Sequence, residues 1–385
     1  MTPFQFATAA RIQFGAGSLR SLAEEIRTLG GRGLLVIGRS SDRAEPARDI
    51  LGQCRVEWTE ASIPNEPTVD QASALARRAA TERCDWVVSF GGGAVIDGGK
   101  AVAALAANPG DPLDHLEVIG RGLPLRHPPL PFVAIPTTAG TGAEVTRNAV
   151  LGSPEHRVKV SLRSASMLPR LAIVDPVLTL PKPRDLTAAT GMDALTQLLE
   201  PWVGCRHNPM TDALCQAGIP MASSSLARAF DHGADLAART SMSYASLLGG
   251  MALANSGLGA VHGFAGPLGG MFDIPHGALC AALLAPVWKA NCEALRRRDP
   301  DGEGLRRHVA AARMLTGIPT ATVVDGEAWI RDLTRHLGIR GLGSLGVPAD
   351  RLDEAVAKAQ ASSSMKGNPV VLEPGELRAI LEAAS

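Results

Sequence analysis

One tyrosine, Tyr244, stands in 385 residues, and aromatic side chains make up 4% of the chain. With so few rings, no platform for stacking sugars or aryl groups is evident. No sign of charge dominates: Lys and Arg total 38, as do Asp and Glu. That balance argues against a nucleic-acid or anionic-membrane surface. Six cysteines are scattered (Cys54, Cys84, Cys205, Cys215, Cys280, Cys292), and no pair has Cys-x-x-Cys spacing. Neither a zinc ribbon nor a redox pair is therefore indicated, and reduced thiols in a cytoplasmic protein are the simplest reading. No stretch reads as long and uncharged enough to span a bilayer. The opening Met1-Thr-Pro-Phe-Gln-Phe-Ala-Thr has no basic leader and no apolar run of signal length.

What is present is a chain of 385 residues, 45% hydrophobic, too long for one ordinary core. Its first half alternates short apolar runs with helical spacing. Leu34–Gly38, Arg55–Trp58, Asp85–Phe90, Pro131–Pro136 and Leu171–Asp175 read as strands, Val69–Thr81 and Val95–Ala107 as helices. Such alternation predicts a parallel sheet covered on both faces. Val158–Leu162 also alternates and is expected to pair with Ala149–Leu151 as a hairpin near the sheet's end. Beyond the stiff joint Pro181-Lys-Pro183, alanine and leucine at helical spacing take over. The reading is α/β over 1–180, a dinucleotide-binding domain, and all-α over 181–385.

Strand Asp85–Phe90 runs into Gly91-Gly-Gly-Ala-Val-Ile-Asp97-Gly-Gly-Lys100. Glycines at a strand end let the backbone approach a bound group, and the helix start that follows favours a phosphate. The bland alternative is a glycine-rich turn with no ligand. After the next strand comes Pro136-Thr-Thr-Ala-Gly-Thr141-Gly-Ala-Glu144. Ligands of open α/β sheets bind at such carboxyl ends, although Ser/Thr turns are common without one. Strand Leu34–Gly38 ends in Arg39-Ser40 and not in an acid. Arg and Ser suit a ribose 2′-phosphate, which inclines the reading to NADP(H) over NAD.

Asp193 and Gln197 lie four apart on an expected helix, so both project from one face. His262 and His276 frame a glycine-rich run closed by Pro275. Asp, His and His suit Zn²⁺ or Fe²⁺ with a position left open, and Gln197 offers a weak carbonyl oxygen besides. For either histidine alone, a hydrogen-bonded core residue is the competing reading.

These segments resemble the iron-containing (group III) alcohol dehydrogenase family, similar in fold to glycerol dehydrogenase and dehydroquinate synthase. The resemblance runs along nearly the whole chain: Phe14–Gly17, Pro64–Thr68, Gly91–Lys100, Pro136–Glu144, Ala172–Pro176, Gly191–Glu200, Asn208–Ala213, Gly259–Gly277 and Gly367–Pro369. It implies a nucleotide-binding α/β domain, a helical domain, and an active site in the cleft between them. It implies that Gly92, Gly93, Ala94 and Asp97 form the pyrophosphate loop. Asn65, Thr137, Thr138, Thr141 and Lys159 would make further cofactor contacts, and Arg39, next to Ser40, falls where many members carry an NAD-selecting Asp. Asp193, His262 and His276 fall on metal-ligand positions, with Gln197 where the family usually has histidine. Gly266 also stands where the family usually has histidine. Iron, zinc held by three residues, and a metal-free site all stay open at this point.

The expected reaction is hydride transfer between NAD(P) and a small alcohol, aldehyde or ketone, with His276, His262 and Asp97 as the catalytic set. The proton would pass to solvent or a cofactor ribose hydroxyl, since Gly266 cannot carry it. Competing readings are a metal-free maleylacetate-type reductase, using cations such as Arg147, Arg206 and His207, and a non-catalytic nucleotide-binding protein. A dehydroquinate synthase-type lyase shares the fold, but the ligand spacing matches it less well. The resemblance also implies a homo-oligomer, a dimer or larger.

Overall fold

Leu34, Leu35, Val36 and Ile37 are all buried, which requires cover on both faces of their strand. They form the centre of β2 (Arg32–Ile37) in the computed structural model, which describes residues 3–156 and 158–385. Five more strands join it: β1 (Ile12–Phe14), β3 (Glu57–Ser62), β4 (Trp86–Gly91), β5 (Phe132–Pro136) and β8 (Leu171–Val174). Their order is β1-β8-β5-β4-β2-β3, and every pairing is parallel. Helices α1 (Leu22–Ile26), α2 (Glu45–Gln53), α3 (Val69–Thr81) and α4 (Gly93–Ala107) connect β1 through β5 in turn. The strand order reverses between β2 and β4, the kind of switch point at which open sheets bind ligands.

The structure corrects two strand expectations. The strand expected at Arg55–Trp58 begins later, at Glu57. Arg55 has φ +55, and this left-handed residue turns the chain out of α2 before extension can start. The edge strand β1 went unread because three residues carry no usable period. It is held by Gly15, whose N–H donates to the Val174 carbonyl, and by the Leu19 N–H, which donates to Asp175 Oδ2 at 3.1 Å. β6 (Asn148–Ser153) and β7 (Val158–Arg163) form a separate antiparallel pair, with Ala149 opposite Leu162 and Leu151 opposite Val160. These four are buried against Val69, Ala72 and Ala76 of α3 and Ala101 and Ala104 of α4.

Glycines bring α4 down onto the sheet. A Cβ on Gly99 would lie 1.9 Å from Ser89 Oγ, and one on Gly98 would lie 2.0 Å from Ile63 Cδ1. Part of the glycine signal in the Gly91–Lys100 loop therefore serves packing.

The α/β unit comprises Thr8–Thr138 and Gly142–Thr179. The other unit comprises Leu180–Ser385 together with Ala139–Thr141 and the segment ending at Ala7. Its helices are α5 (Arg184–Val203), α6 (Pro209–Asp231), α7 (Leu236–Ser256), α8 (Ala260–Phe272), α9 (His276–Arg298), α10 (Glu303–Thr316), α11 (Val323–His336), α12 (Leu352–Ala361) and α13 (Pro374–Ala383). By length and composition α9 could cross a membrane, contrary to the sequence reading, but 72% of its most apolar stretch is buried within the protein. It is the core helix of a bundle, covered by protein where a membrane span would meet lipid.

Candidate metal centre and nucleotide loops

α5 is buried on every side from Gly191 to Pro201, with Met192, Leu195, Leu198 and Leu199 in its core face. Against that background it also buries Asp193, Gln197 and Glu200. Buried charge is costly unless partnered, so these three need an explanation. Spacings of four and three place them on one helical face.

The partners come from α8 and α9. His262, in the first turn of α8, sets Nδ1 2.7 Å from Glu200 Oε2 and Nε2 3.3 Å from Asp193 Oδ1. Glu200 Oε1 also accepts the Val261 N–H at 2.6 Å. His276 opens α9, with Nε2 3.9 Å from Asp193 Oδ1. One turn on, the Cys280 sulfur lies 3.7 Å from the Nε2 atoms of both histidines. One donor atom from each of Asp193, His262, His276 and Cys280 falls within 4.8 Å of every other. Asp193, His262 and Cys280 are buried, while His276 exposes 30% of its side chain. His276 is thus the open side of the cluster.

Glycines make this convergence possible. A Cβ on Gly277 would lie 2.6 Å from the Ala189 carbonyl oxygen of α5, and one on Gly259 would lie 2.9 Å from Glu200 Oε1. Asn368 holds the start of α8: its Oδ1 accepts the Ala260 N–H at 3.2 Å, and its Nδ2 donates to Asn291 Oδ1 at 2.7 Å.

Electrostatics bind the cluster together. Burial works against the charged form of Asp193, but the His262 bond, the charges of both histidines and the Gln197 bond hold its carboxyl below the usual range. Burial likewise opposes a charged His262, yet Cys280, Glu200 and Asp193 raise it well above an ordinary imidazole. His276 is raised for similar reasons, with Cys280 and Asp193 outweighing burial.

The donor set fits a divalent ion. Glu200 occupies Nδ1 of His262 and leaves Nε2 facing Asp193, the tautomer a metal-ligating histidine needs. Gln197 Nε2 donates to Asp193 Oδ1 at 3.0 Å, and its buried Oε1 is without a hydrogen-bond partner. The expected residues Asp193, Gln197, His262 and His276 thus meet. Sequence reasoning missed Glu200 and Cys280. Their only signals were positional: Glu200 sits seven residues after Asp193, and Cys280 four after His276.

In the α/β unit, Arg39 and Ser40 follow β2, Asn65 follows β3, Gly92 follows β4, and Thr137 and Thr138 follow β5. These are carboxyl ends of four neighbouring parallel strands. The Thr137 N–H donates to the Gly91 carbonyl at 2.8 Å, which joins two of the loops. Arg39 donates to Asn65 Oδ1. Gly92 caps α4 without a side-chain acceptor, so the first N–H groups of α4, from Gly93 and Ala94, have no such partner at the cap. A phosphate fits there.

Asp97 pairs with Lys100 at 2.9 Å and accepts the Val150 N–H at 3.1 Å. Burial raises its carboxyl against the pull of Lys100. Burial also pushes the nearby Glu144 up to about 7. Lys159 pairs with Glu66 at 3.5 Å. Thr141 groups with the helical unit, apart from Thr137 and Thr138.

Phe264 is fully buried in the helical core, while Phe272 is partly exposed. His207 is engaged on both nitrogens, by Asp212 and by Glu303, each at 3.3 Å. It does not offer itself to a carboxylated substrate.

Residues 9–176 match the iron-containing alcohol dehydrogenase family, and residues 187–385 match the C-terminal part of the Fe-containing alcohol dehydrogenase family. The 1,3-propanediol dehydrogenase of Klebsiella pneumoniae is 35% identical, with 96% of each chain covered. Alcohol dehydrogenase 4 of Schizosaccharomyces pombe is 35% identical over 96% of this chain and 86% of its own. The crystal structure of a 1,3-propanediol oxidoreductase superposes with a TM-score of 0.91 at 31% identity, covering 100% of both chains. A sulfoacetaldehyde reductase from Bifidobacterium kashiwanohense, solved with NAD⁺, gives 0.86 at 26% identity over 99% of this chain and 98% of that one.

Proposed function

The chain belongs to the iron-containing alcohol dehydrogenase family and is an NAD(P)-dependent oxidoreductase of alcohols and aldehydes; we propose that it works on a small alcohol and its aldehyde or ketone with a divalent metal held by Asp193, His262 and His276. The observation that carries this reading is the mutual approach of their buried donor atoms to within 4.8 Å. When bound, the ion supplies Lewis acidity toward a carbonyl oxygen and the nicotinamide supplies the hydride.

The chain's own residues do the rest. Glu200 fixes the ring of His262, and Gln197 orients the carboxylate of Asp193. Partly open His276 marks the side from which substrate arrives. The start of α4 with Gly92, Gly93 and Ala94 receives the pyrophosphate, flanked by Thr137 and Thr138. Arg39 and Ser40 follow β2, at the strand end where an acid would bind a ribose 2′-hydroxyl, and their side chains suit a 2′-phosphate instead, which supports NADP(H) over NAD. Asp97, held by Lys100, orients the nicotinamide side, and Asn65, Thr141 and Lys159 add contacts. Gly266 offers no proton-carrying group, so the proton passes to solvent or a cofactor ribose hydroxyl. In this reading 1–180 binds nucleotide and 181–385 binds metal and substrate, in a cytoplasmic homo-oligomer.

Metal analysis of the purified protein, with NADPH turnover of short aldehydes before and after chelation, tests the proposal. Near-stoichiometric metal and turnover lost on chelation are expected. His276→Ala should abolish turnover while NADP(H) binding persists. Chelator-insensitive turnover by metal-free protein overturns the metal reading in favour of a maleylacetate-type reductase.

A further inference from the structure

We infer that Cys280 is a fourth protein ligand to the metal, that Gln197 stays outside the donor set, and that the resulting site prefers zinc to iron. The inference rests on the proposed placement of an ion at Asp193, His262 and His276.

Cys280 is fully buried, and its sulfur stands 3.7 Å from each imidazole Nε2. It follows His276 by one helical turn, so ring and sulfur project together from the start of α9. Thiol, carboxylate and two imidazoles within 4.8 Å form a four-donor group without any help from Gln197. Gln197 turns its amide nitrogen, not its oxygen, to Asp193 Oδ1 at 3.0 Å. The amide thereby acts as a positioning group for the carboxylate. Its oxygen is left without a hydrogen-bond partner, and a neutral amide oxygen is a poor competitor for a thiolate at a borderline-soft ion.

On metal binding the Cys280 thiol gives its proton to solvent, and the sulfur donates the freed electron pair. Carboxylate and thiolate together then match the charge of a divalent ion. Sulfur and imidazole donors favour Zn²⁺ over Fe²⁺, in the direction of the intrinsic affinity order. Zinc sites can expand to five donors, so four protein ligands still leave a place for substrate.

The test loads metal-free, full-length protein with Co²⁺ alone and reads the near-ultraviolet sulfur-to-cobalt charge-transfer band. Wild type and Gln197→Ala should both show it. Cys280→Ser should bind cobalt more weakly and lack the band, and its preference for zinc in an equimolar zinc–iron mixture should fall, because a thiolate is the softest donor in the set. Cys215 and Cys292 are buried and lie outside the cluster of donor atoms, so the band reports on Cys280. Zinc X-ray absorption on the wild-type protein reads sulfur directly and needs no variant to fold; one sulfur scatterer is expected. Stoichiometric metal with only nitrogen and oxygen scatterers, or a band that survives in Cys280→Ser, overturns the role of Cys280 and leaves the Asp193–His262–His276 site standing. Failure of wild type to bind any divalent ion overturns both.

Discussion

Glu200 grips His262 twice over, once at the ring and once through the backbone. Its Oε2 lies 2.7 Å from the ring Nδ1, while its Oε1 accepts the N–H of the preceding residue, Val261, at 2.6 Å. One carboxylate on α5 therefore sets the tautomer of the histidine and the position of the helix that carries it. A charged, buried side chain so placed is a stronger restraint than a neutral pair would be.

Glu200→Gln should keep the fold and weaken metal binding by about 10–100-fold, the usual scale for losing a partner behind a ligating histidine. Competition against a chelator measures it. Unaltered affinity would show that Glu200 serves only the packing of α8 on α5.

Arg39 follows β2 and bonds to Asn65 beyond β3. Arg39→Asp should lower the NADPH to NADH ratio of kcat/KM by roughly tenfold or more, the scale of one charge-assisted hydrogen bond. If the ratio does not move, Arg39 is not near the ribose and the NADP(H) preference fails.

Lys100 is 1% exposed and ties three segments together. Its Nζ donates to the Ala143 carbonyl at 2.9 Å, to Thr146 Oγ1 at 2.8 Å and to the Asn148 carbonyl, and it pairs with Asp97. Lys100→Met strands Asp97 without its cation. A loss of about 3–5 kcal/mol is expected in urea unfolding, as for other buried pairs broken on one side. A loss under about 1 kcal/mol, the scale of an exposed pair, would mean that solvent reaches Asp97.

His308 on α10 is buried, with Nδ1 2.7 Å from the Gly304 carbonyl and its ring edge-on to Trp288 at 5.0 Å. Burial lowers it from 6.5 to about 4, aided by the charge of Arg307. Between those values only the unfolded chain takes up the proton, so stability falls as pH drops from 6.5 toward 4 and levels below. The shift corresponds to roughly 3 kcal/mol at most. Unfolding midpoints across that window should flatten in His308→Gln; parallel curves for the two proteins would refute the assignment.

The sequence by itself determined the parts of this protein that depend on neighbours along the chain. Period and propensity placed α3 at its observed limits and marked β2, β4, β5 and β8 within a few residues. Four-residue spacing put Asp193 and Gln197 on one face, and the glycine–histidine motif pointed to a metal. Tertiary structure decided what depends on distant segments meeting. Gly99 and Gly277 lie in glycine-rich stretches read for ligand binding, yet both are packing contacts, whereas a Cβ on Gly266 would meet nothing within 4 Å. Cys280 looked like one of six scattered thiols until α8 and α9 brought two imidazoles to its sulfur. Glu200 looked like the tail of a helical motif until His262 settled on it. The physical reason is common to both. Secondary structure follows from local sterics and hydrophobic period, but a donor set forms only where packing three helices holds side chains from separate stretches of chain at one point in space.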